Sequence, residues 1–116
     1  MAKEYKKSSP LTDEQMARLG PIFSYLSTFI SLELGPMVYN HLPKKGWPKP
    51  NGYDVGLNLQ TLKLLGSPGV DNVAVEKAYE ARNLLFHHQH KEVLNRNESL
   101  EDAVEKVAEY LRTHKD

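Results

Sequence analysis

Residues 99–113 read SLEDAVEKVAEYLRT, and this stretch carries the clearest structural signal in the chain. Its apolar residues recur at the i, i+3, i+4 and i+7 spacing that places side chains on one face of a helix. They are Leu100, Ala103, Val104, Val107, Ala108 and Leu111. Ser99 is a preferred N-cap residue, and Glu101 and Asp102 would lie at the positive end of the helix dipole. The sequence predicts an amphipathic helix that begins after Ser99 and follows a polar turn at residues 95–97.

The N-terminal part of the chain has a helical pattern with two interruptions. Thr12 and Gln15 have the spacing of a capping box, so a helix is predicted to begin there. Proline removes a backbone donor and clashes with the preceding turn. The pairs at residues 20–21 and 35–36, both Gly-Pro, are therefore expected to kink or break this helix.

Two more helices are predicted in the middle of the chain. Asp54 is placed to cap a short, leucine-rich helix that stops at the Gly-Ser-Pro-Gly sequence of residues 66–69. Asp71 is placed to cap a longer helix that runs to about residue 88 or 90. No stretch alternates between polar and apolar residues for long enough to indicate a strand. We therefore predict an all-α fold, a bundle of four or five helices.

Length and composition limit the class of protein. The 116 residues suit one domain, with a flexible tail expected at residues 1–11 and a helical domain at residues 12–116. The absence of cysteine excludes disulfides and thiolate zinc sites, and it fits a reducing, cytoplasmic location. Fifteen basic and fifteen acidic residues cancel, which argues against tight, nonspecific binding to long nucleic acids. No apolar stretch is long enough to span a bilayer, so no membrane partner is expected.

Residues 43–53 form the one long loop that the sequence predicts. Three prolines and two glycines exclude regular structure there, and long loops in small domains are often functional. Trp47 lies in this loop beside Lys44, Lys45 and Lys49. Its indole either anchors the loop to the core or stacks on a nucleotide whose phosphates the lysines contact.

The helix that begins after Asp71 has distinct faces. One face carries small apolar residues that would let another helix approach closely: Ala74, Ala78, Ala81 and Leu85. A neighbouring stripe contains Val75, Tyr79, Arg82 and Phe86. The opposite face is polar and contains Glu76, Glu80, Asn83, His87 and His90. An arginine among apolar neighbours must form an ion pair, reach water or face an anionic ligand.

Arg82, Asn83 and His87 together suggest phosphodiester chemistry. Asn83 and His87 are one turn apart, and the long side chain of Arg82 can reach the same point. An imidazole can accept or donate a proton near neutral pH, and a guanidinium can stabilise the charge that develops on a phosphorane. An amide can orient the imidazole or the phosphate. These three residues are the candidate catalytic group.

Residues 82–87, RNLLFH, resemble the motif of the HEPN domains (higher eukaryotes and prokaryotes nucleotide-binding). That motif is an arginine, often followed by a polar residue, with a histidine a few positions later. The penultimate helix that carries it here, and the following helix that opens at Glu101, are also similar to the family's. The resemblance extends over roughly residues 12–114. One position departs from the family's pattern, since the bulky Phe86 stands where small residues are frequent.

This resemblance implies a HEPN-like helical bundle that forms a homodimer and needs no metal or other cofactor. Many HEPN domains are metal-independent endoribonucleases of RNA processing, defence or toxin systems, with one composite site built from both motifs of a dimer. His87 would then move a proton, Arg82 would stabilise the transition state and Asn83 would support the site. RNA, an antitoxin or a larger protein are the implied partners. His90, and Lys44, Lys45, Trp47 and Lys49 of the loop, are the candidate substrate contacts.

Two alternatives remain open at the level of sequence. The chain could be a noncatalytic helical module that binds proteins or RNA, with Arg82 in a structural ion pair and the histidines simply solvated. It could instead bind zinc through clustered imidazoles, although no recognised ligand spacing identifies such a site. The candidate ligands would be His87, His88 and His90 with His41, Glu80 or Glu92. The motifs of phosphate loops, dinucleotide folds and nucleophile elbows do not occur.

Overall fold

The computed structural model describes residues 11–44, 55–65 and 71–113. Every regular element in these ranges is helical, which confirms the predicted all-α bundle. The helices are α1 (Asp13–Thr28), α2 (Gly35–Lys44), α3 (Val55–Leu65), α4 (Asn72–Phe86) and α5 (His90–Thr113), and a π-helical segment (Phe29–Leu34) joins α1 to α2. No helix in the described part of the chain is long and apolar enough to cross a membrane.

Helix α1 begins where the capping box predicts. The amide of Gln15 donates to the Thr12 hydroxyl at 3.1 Å, and the amide of Thr12 donates to the Gln15 side chain at 2.9 Å. The helix does not break at residues 20–21, since α1 continues through Pro21. Pro21 leaves the carbonyl of Ala17 without its helical donor, but both residues are exposed. Water can therefore replace the missing hydrogen bond, and the helix continues.

The second Gly-Pro pair marks a change of helix type instead of a break. The amide of Gly35 donates to the carbonyl of Ile30, which is the i to i−5 bond of a π-helix, and α2 begins at Gly35. Gly35 also lets α3 approach, since a Cβ atom there would lie 2.9 Å from Cγ2 of Val55. Helix α2 includes Pro43 and ends at Lys44, so the first two residues of the predicted loop are helical. The rest of that predicted loop, residues 45–53, lies outside the described residues.

Helix α4 packs against α1, α3 and α5. Its predicted small-residue face is buried, with Ala78 and Ala81 fully inaccessible to solvent. The apolar stripe predicted for the last helix is buried as well. Small side chains on α4 allow the larger residues of its neighbours to pack close to its backbone. The core predicted from these two helices is therefore confirmed.

The predicted turn before the last helix is wrong. Residues 95–97 and Ser99 lie inside α5, which begins ten residues earlier than expected, at His90. The two apolar residues before the supposed turn, Val93 and Leu94, are buried and add a further turn to the buried face of α5. Tertiary packing thus overrides the weak helix propensity of the asparagines.

Helix α4 begins as predicted, because the Asp71 carboxylate accepts from the amides of Val73 and Ala74 at 3.0 and 3.1 Å. It ends at Phe86, earlier than predicted, in a Schellman motif. The amide of His88 donates to Leu85, and that of Gln89 donates to Leu84 at 2.8 Å.

His88 occupies the position of this motif that glycine normally fills. Its φ angle is 55°, in the left-handed region. A histidine at such a position costs free energy, and the sequence gives no glycine that would have predicted the end of the helix.

We therefore expect His88→Gly to raise the free energy of unfolding by about 0.5–1 kcal/mol, since glycine adopts this conformation without a Cβ clash. His87→Gly is the matched control, because the φ angle of His87 is −92°, so glycine there relieves no strain and adds freedom to the unfolded chain. It also removes the ring contact with Phe86. Urea unfolding of the two variants should show opposite signs. A destabilised His88→Gly protein would contradict this description of the end of α4.

Candidate functional site

The RNLLFH motif lies at the C-terminal end of α4. Arg82 and Asn83 belong to its last turns, and His87 is its C-cap residue. The amide of His87 donates to the carbonyl of Asn83 at 2.9 Å, so these residues are one turn apart, as predicted. The helix end places the motif at the surface of the bundle.

Neighbours on α3 and α4 contact the half-buried side chain of Arg82. Its Nη1 donates to Oδ1 of Asn83 at 3.0 Å. Its guanidinium carbon lies 4.6 Å from the centre of the Phe86 ring, within the range of a cation–π interaction. Its Nε, Cδ and Cζ atoms pack against Gly56 of α3, where a Cβ atom would lie 3.3–3.4 Å away. The position of the guanidinium is therefore set by the end of α4 together with α3.

Asn83 is buried, with 8% of its surface exposed, although helical periodicity assigns it to the polar face. Periodicity gives an angular position on α4, whereas burial depends on which side chains cover that angle. Its side-chain oxygen accepts the hydrogen bond from Arg82, so the amide supports the guanidinium.

His87 is exposed and contacts Phe86, with 5.3 Å between ring centres and an interplanar angle of 83°. Phe86 thus touches both the guanidinium of Arg82 and the imidazole of His87. The structure brings Arg82 and Asn83 into direct contact, and it connects His87 to Arg82 through this aromatic ring.

The two glutamates of the predicted polar face form ion pairs with neighbouring helices. Glu80 accepts two hydrogen bonds from Arg96 of α5, at 3.2 and 3.3 Å, and these bonds raise the pKa of Arg96. Glu76 forms an ion pair with Lys63 of α3 at 3.4 Å. The two glutamates therefore connect α4 to different helices. Two catalytic carboxylates would have to face the same point, so these two glutamates do not form such a pair.

His90 does not share the face of α4, because the Schellman motif ends that helix before it. His90 begins α5, and its ring lies edge-on to Phe23 of α1, with 5.6 Å between the centres. It also lies 5.8 Å from the ring of His88. Within the described residues, no group of three or more histidine, cysteine or acidic side chains could hold a metal ion.

A pocket of about 290 Å³ opens beside Arg82. The first helical stretch contributes Phe23, Ser27, Ile30 and Ser31, α3 contributes Val55, and α4 contributes Arg82, Leu85 and Phe86. Sequence reasoning missed the two serines and Phe23, since they belong to a distant part of the chain. The sequence signals near them are the two Gly-Pro pairs at residues 20–21 and 35–36.

Of the four loop residues predicted as substrate contacts, the structure describes one. Lys44 is exposed at the end of α2. Lys45, Trp47 and Lys49 lie outside the described residues, as does the predicted cap Asp54, so their roles stay predictions.

Comparison with known proteins gives no relative. No protein-family model, no curated protein and no solved structure matches the chain. The chemistry of the site therefore rests on its own residues and their geometry.

The two glycines at helix contacts should respond differently to alanine. Gly35→Ala would press on Cγ2 of Val55 and on the carbonyl of Ile30, so we expect a loss of about 1–3 kcal/mol in unfolding free energy. Gly56→Ala meets the flexible end of Arg82, which can move, and alanine favours the helix. Its stability should change by less than about 1 kcal/mol while the guanidinium is displaced. Denaturant unfolding of both variants tests this. Equal losses of unfolding free energy would show that Gly56 is needed for folding and not specifically for the position of Arg82.

Proposed function

We propose that the chain is a HEPN-like, metal-independent endoribonuclease of the cytoplasm. The observation that supports this most is the end of α4, where the guanidinium of Arg82 is held by the amide of Asn83. One helical turn further on, His87 exposes an imidazole. An oriented cation and a proton carrier on one surface suit the cleavage of a phosphodiester.

In this proposal the ribose 2′-oxygen of the RNA attacks the adjacent phosphorus. A His87 imidazole accepts the proton of the 2′-hydroxyl as the new P–O bond forms. The bond between phosphorus and the 5′-oxygen breaks, and that oxygen leaves with a proton from an imidazolium. Arg82 donates paired hydrogen bonds to the phosphorane oxygens, which carry more negative charge in the transition state than in the substrate.

The reaction needs a base and an acid on opposite sides of the phosphorus. One imidazole cannot occupy both positions in the same step, and each chain has a single histidine in the motif. We propose that a second copy supplies the other His87 in a homodimer. A partner that covers this helix end, such as an antitoxin, would block RNA and silence the enzyme.

One observation favours a noncatalytic module as the second candidate. Phe86 is 64% exposed and touches both Arg82 and His87. An exposed aromatic ring next to a cation is a surface on which a protein or an RNA base can dock without being cut. In that case Arg82 and His87 bind the partner and no bond breaks.

We expect the purified protein to cleave a labelled, partly single-stranded RNA in the presence of a chelator. Arg82→Ala and His87→Ala should each reduce the rate by about a hundredfold or more, since a hydrogen-bond donor to the transition state and a general acid–base group each contribute at least this factor. Arg112→Ala and His88→Gly are the matched controls, because they remove the same side-chain types outside the motif and should cleave at the native rate. Equal helicity by circular dichroism checks that all four are folded.

If no protein in this set cleaves several RNAs while all remain folded, the enzyme proposal fails. The noncatalytic candidate then predicts binding of RNA or protein that Phe86→Ala weakens. If cleavage is native-like in His87→Ala, the activity belongs to another site or to a contaminant.

A further inference from the structure

The pocket beside Arg82 combines three kinds of surface. Its walls include two aromatic rings, Phe23 and Phe86. Ile30 and Leu85 are buried and apolar, and Ser27 and Ser31 provide hydroxyl groups. Ligand pockets of proteins typically combine an apolar lining with a few polar groups and have volumes of roughly 300–1,000 Å³. At about 290 Å³ this pocket suits a small, flat ligand.

Both aromatic walls are held in place by neighbours. The Phe86 ring lies under the guanidinium of Arg82, and the Phe23 ring meets His90 edge-on. Aromatic rings held in this way are suited to stack on a planar heterocycle. A purely aliphatic ligand would gain nothing from the serine hydroxyls.

The serines can recognise the edge of such a heterocycle. A hydroxyl both donates and accepts hydrogen bonds, so two hydroxyls can match the donors and acceptors of a nucleobase. Ser27 lies in the last turn of α1, and Ser31 lies four residues later in the π segment. Single π-helical turns frequently occur at functional sites, because they change the shape of the helix surface locally.

Arg82 connects the pocket to the proposed chemistry. Arg82 lines the pocket and also belongs to the motif at the end of α4. We propose that the pocket is a subsite for one unpaired nucleobase of the RNA, adjacent to the phosphate held by Arg82. That this phosphate is the one cleaved rests on the proposed ribonuclease function. Binding of the base depends on the pocket alone.

This subsite restricts the substrate. A base that enters the pocket cannot stack within a duplex or pair with its partner strand, so its nucleotide must be single-stranded. Cleavage should therefore occur in loops and single-stranded segments, next to a base that has turned into the pocket. The middle of a perfect duplex should resist.

Binding is tested apart from cleavage with the His87→Ala protein. Ribonucleoside 3′- and 5′-monophosphates serve as probes, and amide chemical shifts and calorimetry report binding. We expect shifts at Ser27, Ser31 and Val55. Ser27→Leu fills the pocket and should weaken the affinity about tenfold, within the range expected when base stacking is lost. Ser24→Leu is the control, because Ser24 is exposed on the same helix and does not line the pocket.

The milder double variant, Ser27→Ala/Ser31→Ala, serves as a second test in case the leucine variant misfolds. It should bind nucleotides less tightly than the His87→Ala parent. If nucleotides bind with this pattern but no RNA is cut, the subsite stands and the ribonuclease proposal falls. If RNA is cut but Ser27→Leu cuts the same bonds at the native rate, or duplex interiors are cut, the subsite is overturned and the ribonuclease stands. Nucleotide binding that is absent, or equal in the Ser24→Leu and Ser27→Leu proteins, overturns the subsite as well.

Discussion

The close packing of α4 against its neighbours determines both the fold and the site. The fully buried Ala78 and Ala81 let other helices approach the backbone of α4. Gly56 of α3 extends this close approach to Arg82, whose side chain lies directly against it. The ion pair between Glu80 and Arg96 also links α4 to α5. Because the helix is held along its length, its C-terminal end presents the motif in a defined orientation.

The sequence predicts the parts of the fold that local chemistry controls. Side chains within a few residues determine the caps at Thr12 and Asp71 and the apolar faces of α4 and α5, so these predictions are confirmed. The wrong predictions concern features that depend on tertiary packing or on an unusual backbone conformation. Residues 95–97 read as a turn because asparagine is common in turns, but the burial of Val93 keeps α5 helical through them. The predicted end of α4 lies two to four residues too late, because histidine, not glycine, adopts the left-handed position.

The same distinction applies to the candidate site. Helical spacing predicts that Asn83 and His87 lie one turn apart, and the structure confirms this. Spacing within one helix cannot reveal that Gly56 lies against Arg82, or that Ser27 and Ser31 line a pocket beside it. These partners come from other helices, and no local pattern encodes which helices meet. Phe86 shows the same limit, because its contacts with both Arg82 and His87 depend on side-chain conformation.

Attack by the 2′-hydroxyl is the central chemical claim, and the ends of the RNA fragments test it most directly. The fragments produced in the presence of chelator would be examined by mass spectrometry and by enzymatic end-labelling. An imidazole and a guanidinium acting on the ribose and phosphate predict a 2′,3′-cyclic phosphate on one fragment and a 5′-hydroxyl on the other. Fragments with a 3′-hydroxyl and a 5′-phosphate would mean that water attacks the phosphorus, and they would contradict the roles given to His87 and Arg82.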